Sequence, residues 1–82
     1  MFAAIHVDKR DGYIFSVNLF NTYEGACNFI WQDMHDFLDY CHAGHDVKVR
    51  GEKGETILEA TVTMGDSTLT AYKWTVENVS NA

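Results

Sequence analysis

Hydrophobic and polar positions alternate with a period of two along five stretches of this chain and recur at helical spacing along one. Phe2 to Asp8 sets Ala3, Ile5 and Val7 on one side of an extended chain and Ala4 and His6 on the other. Lys9 to Gly12 (KRDG) supplies turn residues, and Tyr13 to Phe20 alternates again. In that second run Tyr13, Phe15, Val17 and Leu19 are expected to face a core, with Ser16 and Asn18 outward. Two runs joined by so short a turn predict an antiparallel hairpin.

The stretch from Asn21 to Gly44 changes period. Tyr23, Ala26, Cys27, Ile30, Met34, Phe37, Leu38 and Cys41 fall in one stripe at about 100° per residue, with Trp31 on its border. Asn21 or Thr22 is placed to cap the helix, and Glu24 follows Asn21 at capping-box spacing. Gly44 suits the left-handed residue that ends many helices.

Beyond it, Asp46 to Arg50 turns Val47 and Val49 inward, Thr56 to Thr63 turns Leu58, Ala60 and Val62 inward, and Thr68 to Val76 does so with Tyr72, Trp74 and Val76. Gly51 to Glu55 and Met64 to Ser67 are turns, so these three runs form a meander. Glu77 to Ala82 reads as a polar tail that frays. The sum is one domain over residues 1–82, of α+β class and order ββαβββ, with one long helix on one face of a small antiparallel sheet. The opposite sheet face is expected to carry His6, Ser16, Asn18, Lys48, Arg50, Glu59, Thr61 and Lys73 into water.

Composition supports a folded domain: 46% hydrophobic residues, 13% aromatics and no proline in 82 residues. No run of about 20 apolar residues could cross a membrane, and MFAAIHVDKR lacks the pattern of a signal peptide. Cys27 and Cys41 lie 14 residues apart on the helix, roughly 21 Å at about 1.5 Å per residue. A disulfide needs Cα atoms within about 7 Å, so the two stay as thiols and suit a cytoplasmic setting.

Twelve acidic against six basic residues give a formal charge of -6, which disfavours direct contact with nucleic acid. That charge is localised. Asp11, Glu24, Asp33, Asp36, Asp39 and Asp46 fall in a span from Asp11 to Val47 without Lys or Arg, while the flanking segments nearly balance. On the helix Asp33, Asp36 and Asp39 lie at roughly -60°, -120° and 180° from Ile30, and Phe29 and Tyr40 near -100° and -80°. These carboxylates are expected to fan into water beside two aromatic rings, the composition of a protein-binding face that steers by charge and anchors by ring burial. Phe29, Asp33, Asp36, Asp39 and Tyr40 are the candidate partner-binding residues.

Catalytic and metal chemistry find less support. Cys41, His42 and His45 form a C-H-x-x-H run, but a closed zinc site draws ligands from two separated pairs and no second pair is present. Cys41 is expected in the core, with His42 and His45 exposed at the helix end. The thiols are expected to point inward, away from any base, and the glycines of RGEKGE match a hairpin turn better than a phosphate loop. The chain is read as a non-enzyme without cofactor or bound metal.

Small size, acidity, a lone acidic helix carrying Asp33, Asp36 and Asp39, and no catalytic constellation together resemble the design of small phage and mobile-element inhibitors of the anti-CRISPR and antirestriction kind. The resemblance implies a non-catalytic inhibitor that occupies a Lys/Arg-lined surface of a CRISPR effector or other nuclease complex, in a bacterial host cytoplasm. The alternatives are a self-associating structural domain, pairing through a strand edge or the Phe29/Tyr40 flank, and a small metal-binding protein using Cys41, His42 and His45.

Overall fold

The computed structural model describes residues 1–79. Its elements are β1 (Phe2–Asp8), β2 (Ile14–Phe20), α1 (Tyr23–His42), β3 (Asp46–Arg50), β4 (Ile57–Thr63) and β5 (Leu69–Asn78). They form one antiparallel sheet in the order β2-β1-β5-β4-β3, with α1 packed on one face. The expected α+β arrangement is therefore present. The hairpin β1–β2 and the meander β3–β4–β5 join through β1 and β5, in register from Phe2 opposite Asn78 to Asp8 opposite Tyr72.

The topology explains the length of the helix. β2 and β3 are the two edges of the sheet, so α1 must carry the chain from one edge to the other. Five strands spaced about 4.8 Å apart span roughly 19 Å, while a 20-residue helix rises about 30 Å. A helix that long crosses the strands obliquely. Its contact line follows a ridge of every fourth residue, and the buried positions Ala26, Ile30, Met34, Leu38 and His42 are that ridge, joined by Cys27. This drift corrects the sequence reading at both ends. Cys41, expected inside, is exposed, and His42, expected outside, is buried, while Tyr23 at the start of the stripe is half exposed.

Strand registers decide which sheet face the helix covers. Ala4 pairs with Asn18 and Val76, and His6 pairs with Ser16 and Trp74, so these residues share the helix face. Val17 and Leu19 pair with Ile5 and Ala3 and point to the uncovered face, where they are 53% and 60% exposed. The expectation for β2 is thus inverted, with Ser16 and Asn18 on the helix side, and His6 is buried rather than solvated. Both faces of β1 carry apolar residues, and Ala4 lies buried in the core cluster on the helix side. Phe15 reaches the helix side as expected, through a register shift between His6 and Val7 that makes it the extra residue of a bulge. Leu58, Ala60, Val62, Tyr72, Trp74 and Val76 are buried as their alternation predicts. Lys48, Arg50, Glu59, Thr61 and Lys73 occupy the uncovered face as expected, by their pairings across β3, β4 and β5.

Local chemistry ends the elements. Thr22 is the N-cap, its Oγ1 accepting from the Gly25 amide at 3.0 Å, so the helix starts without the capping box proposed from Asn21 and Glu24. Ala43 caps the C-terminus and Gly44 follows at φ +84°, the left-handed position. Gly51 ends β3 at φ +104°, and a Cβ there would lie 2.7 Å from the Ile57 carbonyl oxygen. Glu77 and Asn78, read as tail, belong to β5 and pair with β1; the rest of the proposed tail from Ser80 lies outside the described residues.

Trp74, Ile30, Met34, Leu58 and Val62 form the fully buried centre. Met34→Ala is expected to lower the unfolding free energy by about 2–5 kcal/mol through lost burial and the cavity left behind. Tyr40→Ala, on the opposite side of the same helix, should change it by no more than about 0.5 kcal/mol. Urea titration of both variants checks the orientation of α1.

Candidate functional site

The outer side of α1 presents Glu24, Asn28, Gln32, His35, Asp36, Asp39 and Tyr40 to solvent. Asp36 has Asp39 and Tyr40 as its neighbours, three and four residues further along the helix. Tyr40 is 90% exposed, unusually bare for a ring of that size. Asp36 accepts a 2.9 Å hydrogen bond from Gln32 Nε2, a neutral partner. Among the described residues no Lys or Arg forms an ion pair with Glu24, Asp36 or Asp39. The pairs that involve basic chains, Lys9 with Glu59 and Arg10 with Asp8, lie on the sheet and its first turn. The acids of the outer helix face are thus free of internal neutralisation.

The five residues proposed from the sequence divide into two groups. Asp36, Asp39 and Tyr40 stand together on the outer face. Asp33 and Phe29 sit on the flank and serve the fold. Asp33 does not fan into water: it is 30% exposed at the side chain, and its Oδ2 accepts from Trp74 Nε1 at 3.0 Å. Phe29 is half-buried and packs at a tilt on Phe20, with ring centroids 5.0 Å apart.

Behind Asp33 lies a cluster of rings and histidines that the sequence reading missed. His6 stacks between Trp74, at 4.2 Å and 12°, and Phe15, at 4.6 Å and 26°, with Phe37 edge-on at 4.5 Å. Its Nδ1 is 3.8 Å from Asp33 Oδ2, beyond hydrogen-bond reach, and its Nε2 has no partner. Further along, His42 Nε2 lies 2.8 Å from the Tyr72 hydroxyl and His42 Nδ1 lies 3.1 Å from His45 Nδ1. The signal for this cluster was in the sequence, as two aromatics spaced by two in the last strand and a histidine in the first. Its assembly needed the β1–β5 register.

Burial lowers the His6 pKa from 6.5 to about 4, against the opposing pull of the Asp33 and Asp8 carboxylates, so the ring is neutral at pH 7. Burial also pushes His42 down, reinforced by the neighbouring His45. Arg10, bonded to both Asp8 oxygens, holds that carboxyl below its ordinary value. These are the properties of a packed polar interior.

No group of three or more His, Cys, Asp or Glu side chains among the described residues converges on a point that could hold a metal ion. His42 and His45 engage Tyr72 and each other, and exposed Cys41 does not join them. Cys27 is buried in the core cluster. No described helix is long and apolar enough to cross a membrane. No family model, curated protein or solved structure matches the chain.

The histidine cluster makes stability depend on pH. Below pH 6.5 the unfolded chain binds a proton at His6 that the folded chain refuses until about pH 4. The contribution to stability is therefore lost as pH falls through that window and levels off beneath it. At about 1.4 kcal/mol for each pH unit of displacement, the loss approaches roughly 3 kcal/mol. His6→Phe is expected to flatten the fall in unfolding free energy between pH 6.5 and pH 4, measured by urea unfolding at a series of pH values.

Proposed function

We propose that this chain is a non-catalytic binding module that inhibits a nucleic-acid-handling complex by setting the outer face of α1 against a Lys/Arg-rich surface. One observation carries the reading: among the described residues no Lys or Arg pairs with the exposed Glu24, Asp36 and Asp39, and Tyr40 stands bare next to Asp36 at the far end of the helix from Glu24. An isolated soluble helix gains a few tenths of a kcal/mol from each i,i+4 pair of opposite charges. Here that stabilisation is forgone on every exposed turn. Carboxylates in such an array steer a basic partner into contact and speed its arrival. A tyrosine at the centre of the contact supplies the buried ring on which affinity commonly depends.

A surface that has evolved to hold phosphates fits this array, which is why a CRISPR effector or another nuclease is the partner class proposed. Asp33 and Phe29 contribute by fixing the helix flank rather than by touching the partner. The compartment proposed is the cytoplasm, bacterial for an inhibitor of this kind, where the exposed thiol of Cys41 would remain reduced.

The test is inhibition of target-DNA cleavage by purified CRISPR effector nucleases, together with capture of basic proteins from host lysate at low and high salt. Glu24→Gln, Asp36→Asn and Asp39→Asn combined are expected to weaken binding at least tenfold and to flatten its salt dependence. Tyr40→Ala should weaken it with little change in salt dependence. Wild-type affinity and salt dependence in the triple variant would sink the proposal.

A further inference from the structure

The two edges of the sheet are finished differently. β3 is five residues long, and Asp46, Lys48 and Arg50 put charge along it. Charged side chains on an edge strand deter another strand from pairing there. β2 has seven residues, IFSVNLF, with no charge among them, and the uncharged stretch runs from Gly12 to Tyr23. As an edge strand it presents main-chain N–H and C=O groups that no described strand satisfies.

The side chains stop equally short. On the face away from α1, one row runs Ile57, Thr75, Ile5, Val17 across four strands, and the next runs Glu77, Ala3, Leu19, its carboxylate two strands in from the edge. The apolar part of this face reaches the β2 edge at Val17 and Leu19 and ends there in solvent. A sixth strand laid on β2 would satisfy the outward backbone groups and cover those two side chains at once.

Charge selects the occupant. A chain with net charge -6 repels its own copies over most of its surface, and its unpaired helix acids lie on the other layer. The β2 edge is an uncharged boundary where two copies can meet without opposing carboxylates. It offers nothing to attract a basic or acidic partner, and it is self-complementary. The bulge at Phe15 leaves Ser16 to Phe20 as the regular segment. An antiparallel pairing centred on Asn18 sets Val17 against Leu19 of the second copy, Leu19 against its Val17, and Asn18 against its Asn18.

We infer that two copies of this chain pair antiparallel through β2, centred on Asn18, to form one continuous ten-stranded sheet with both helices on the same side. The two-fold axis stands perpendicular to the sheet, so the interface is isologous. The inference does not depend on the acidic helix face having a partner.

Analytical ultracentrifugation of the full chain over a concentration series is the test, with circular dichroism and thermal unfolding to confirm that each variant folds. The wild type is expected to show a monomer–dimer equilibrium that strengthens with added salt, opposite to the trend expected for binding through the helix acids. Val17→Lys and Leu19→Lys, both at exposed positions, should raise the dissociation constant at least tenfold. Ile57→Lys, on the same face but three strands away, should leave it unchanged. Amides within Ser16 to Phe20 should gain protection from hydrogen exchange as concentration rises. A wild type that stays monomeric up to about 1 mM, a dimer indifferent to Leu19→Lys, or one abolished by Ile57→Lys would each overturn the inference.

Discussion

Trp74 lies fully buried where the helix crosses the middle of the sheet, and an indole N–H in that position requires an acceptor. Asp33 provides it, at 3.0 Å. That bond fixes more than the tryptophan. It ties one carboxylate of α1 to the inner flank, which sets the rotation of the helix about its own axis. With Asp33 held there, Asp36 and Asp39 cannot turn inward, and Tyr40 is carried to the far side from the sheet. The same indole forms one wall of the His6 slot, so the polar interior and the acidic exterior share an anchor. A hydrogen bond to a charged group contributes about 1.5–3 kcal/mol, and its loss would strand a buried donor as well.

Charge is distributed by layer. On the sheet and its turns acids meet bases, as Lys9 meets Glu59 and Arg10 meets Asp8. On the helix no described Lys or Arg pairs with an acid. The sheet therefore adds little net field, and the helix layer faces solvent as the negative side of the molecule. Long-range attraction to a cationic surface and approach of two copies along an uncharged edge would use different sides of one small domain, without competing for residues.

Much of this arrangement was legible from periodicity. The helix, the last three strands and the buried sides of β4 and β5 followed from spacings of 3.6 and 2, because β4 and β5 alternate large apolar residues with polar ones. Val49 of β3, expected inward, is instead 43% exposed at the sheet edge. β1 and β2 were harder. FAAIHVD is apolar on both sides, so alternation could not say which side met the helix, and choosing Val17 and Leu19 as core followed from size alone. The true face is set by Ala4 and His6 lying in register with Val76 and Trp74, a pairing between the two ends of the described chain. Asp33 could have been suspected, since at roughly -60° it lies about 20° from Ala26 on the helical wheel. Its acceptor role needed the position of Trp74. The reversal of Cys41 and His42 came from the oblique crossing of the helix, and an axial projection cannot show a contact line that drifts around the cylinder.

The β1–β5 ladder also bears on how the chain reaches its fold. The β1–β2 hairpin and the β3–β4–β5 meander each close through short turns, so both can form from residues that are near neighbours in sequence. Joining them brings Phe2 beside Asn78 and Asp8 beside Tyr72. Closing a loop of that length carries an entropy cost that grows with the logarithm of its size. α1 is the segment that links the two pieces, and contacts of such high separation in sequence slow folding relative to local ones. Neither piece has a complete core until the first strand pairs with the last, so the contacts that complete the fold are also those with the greatest separation in sequence.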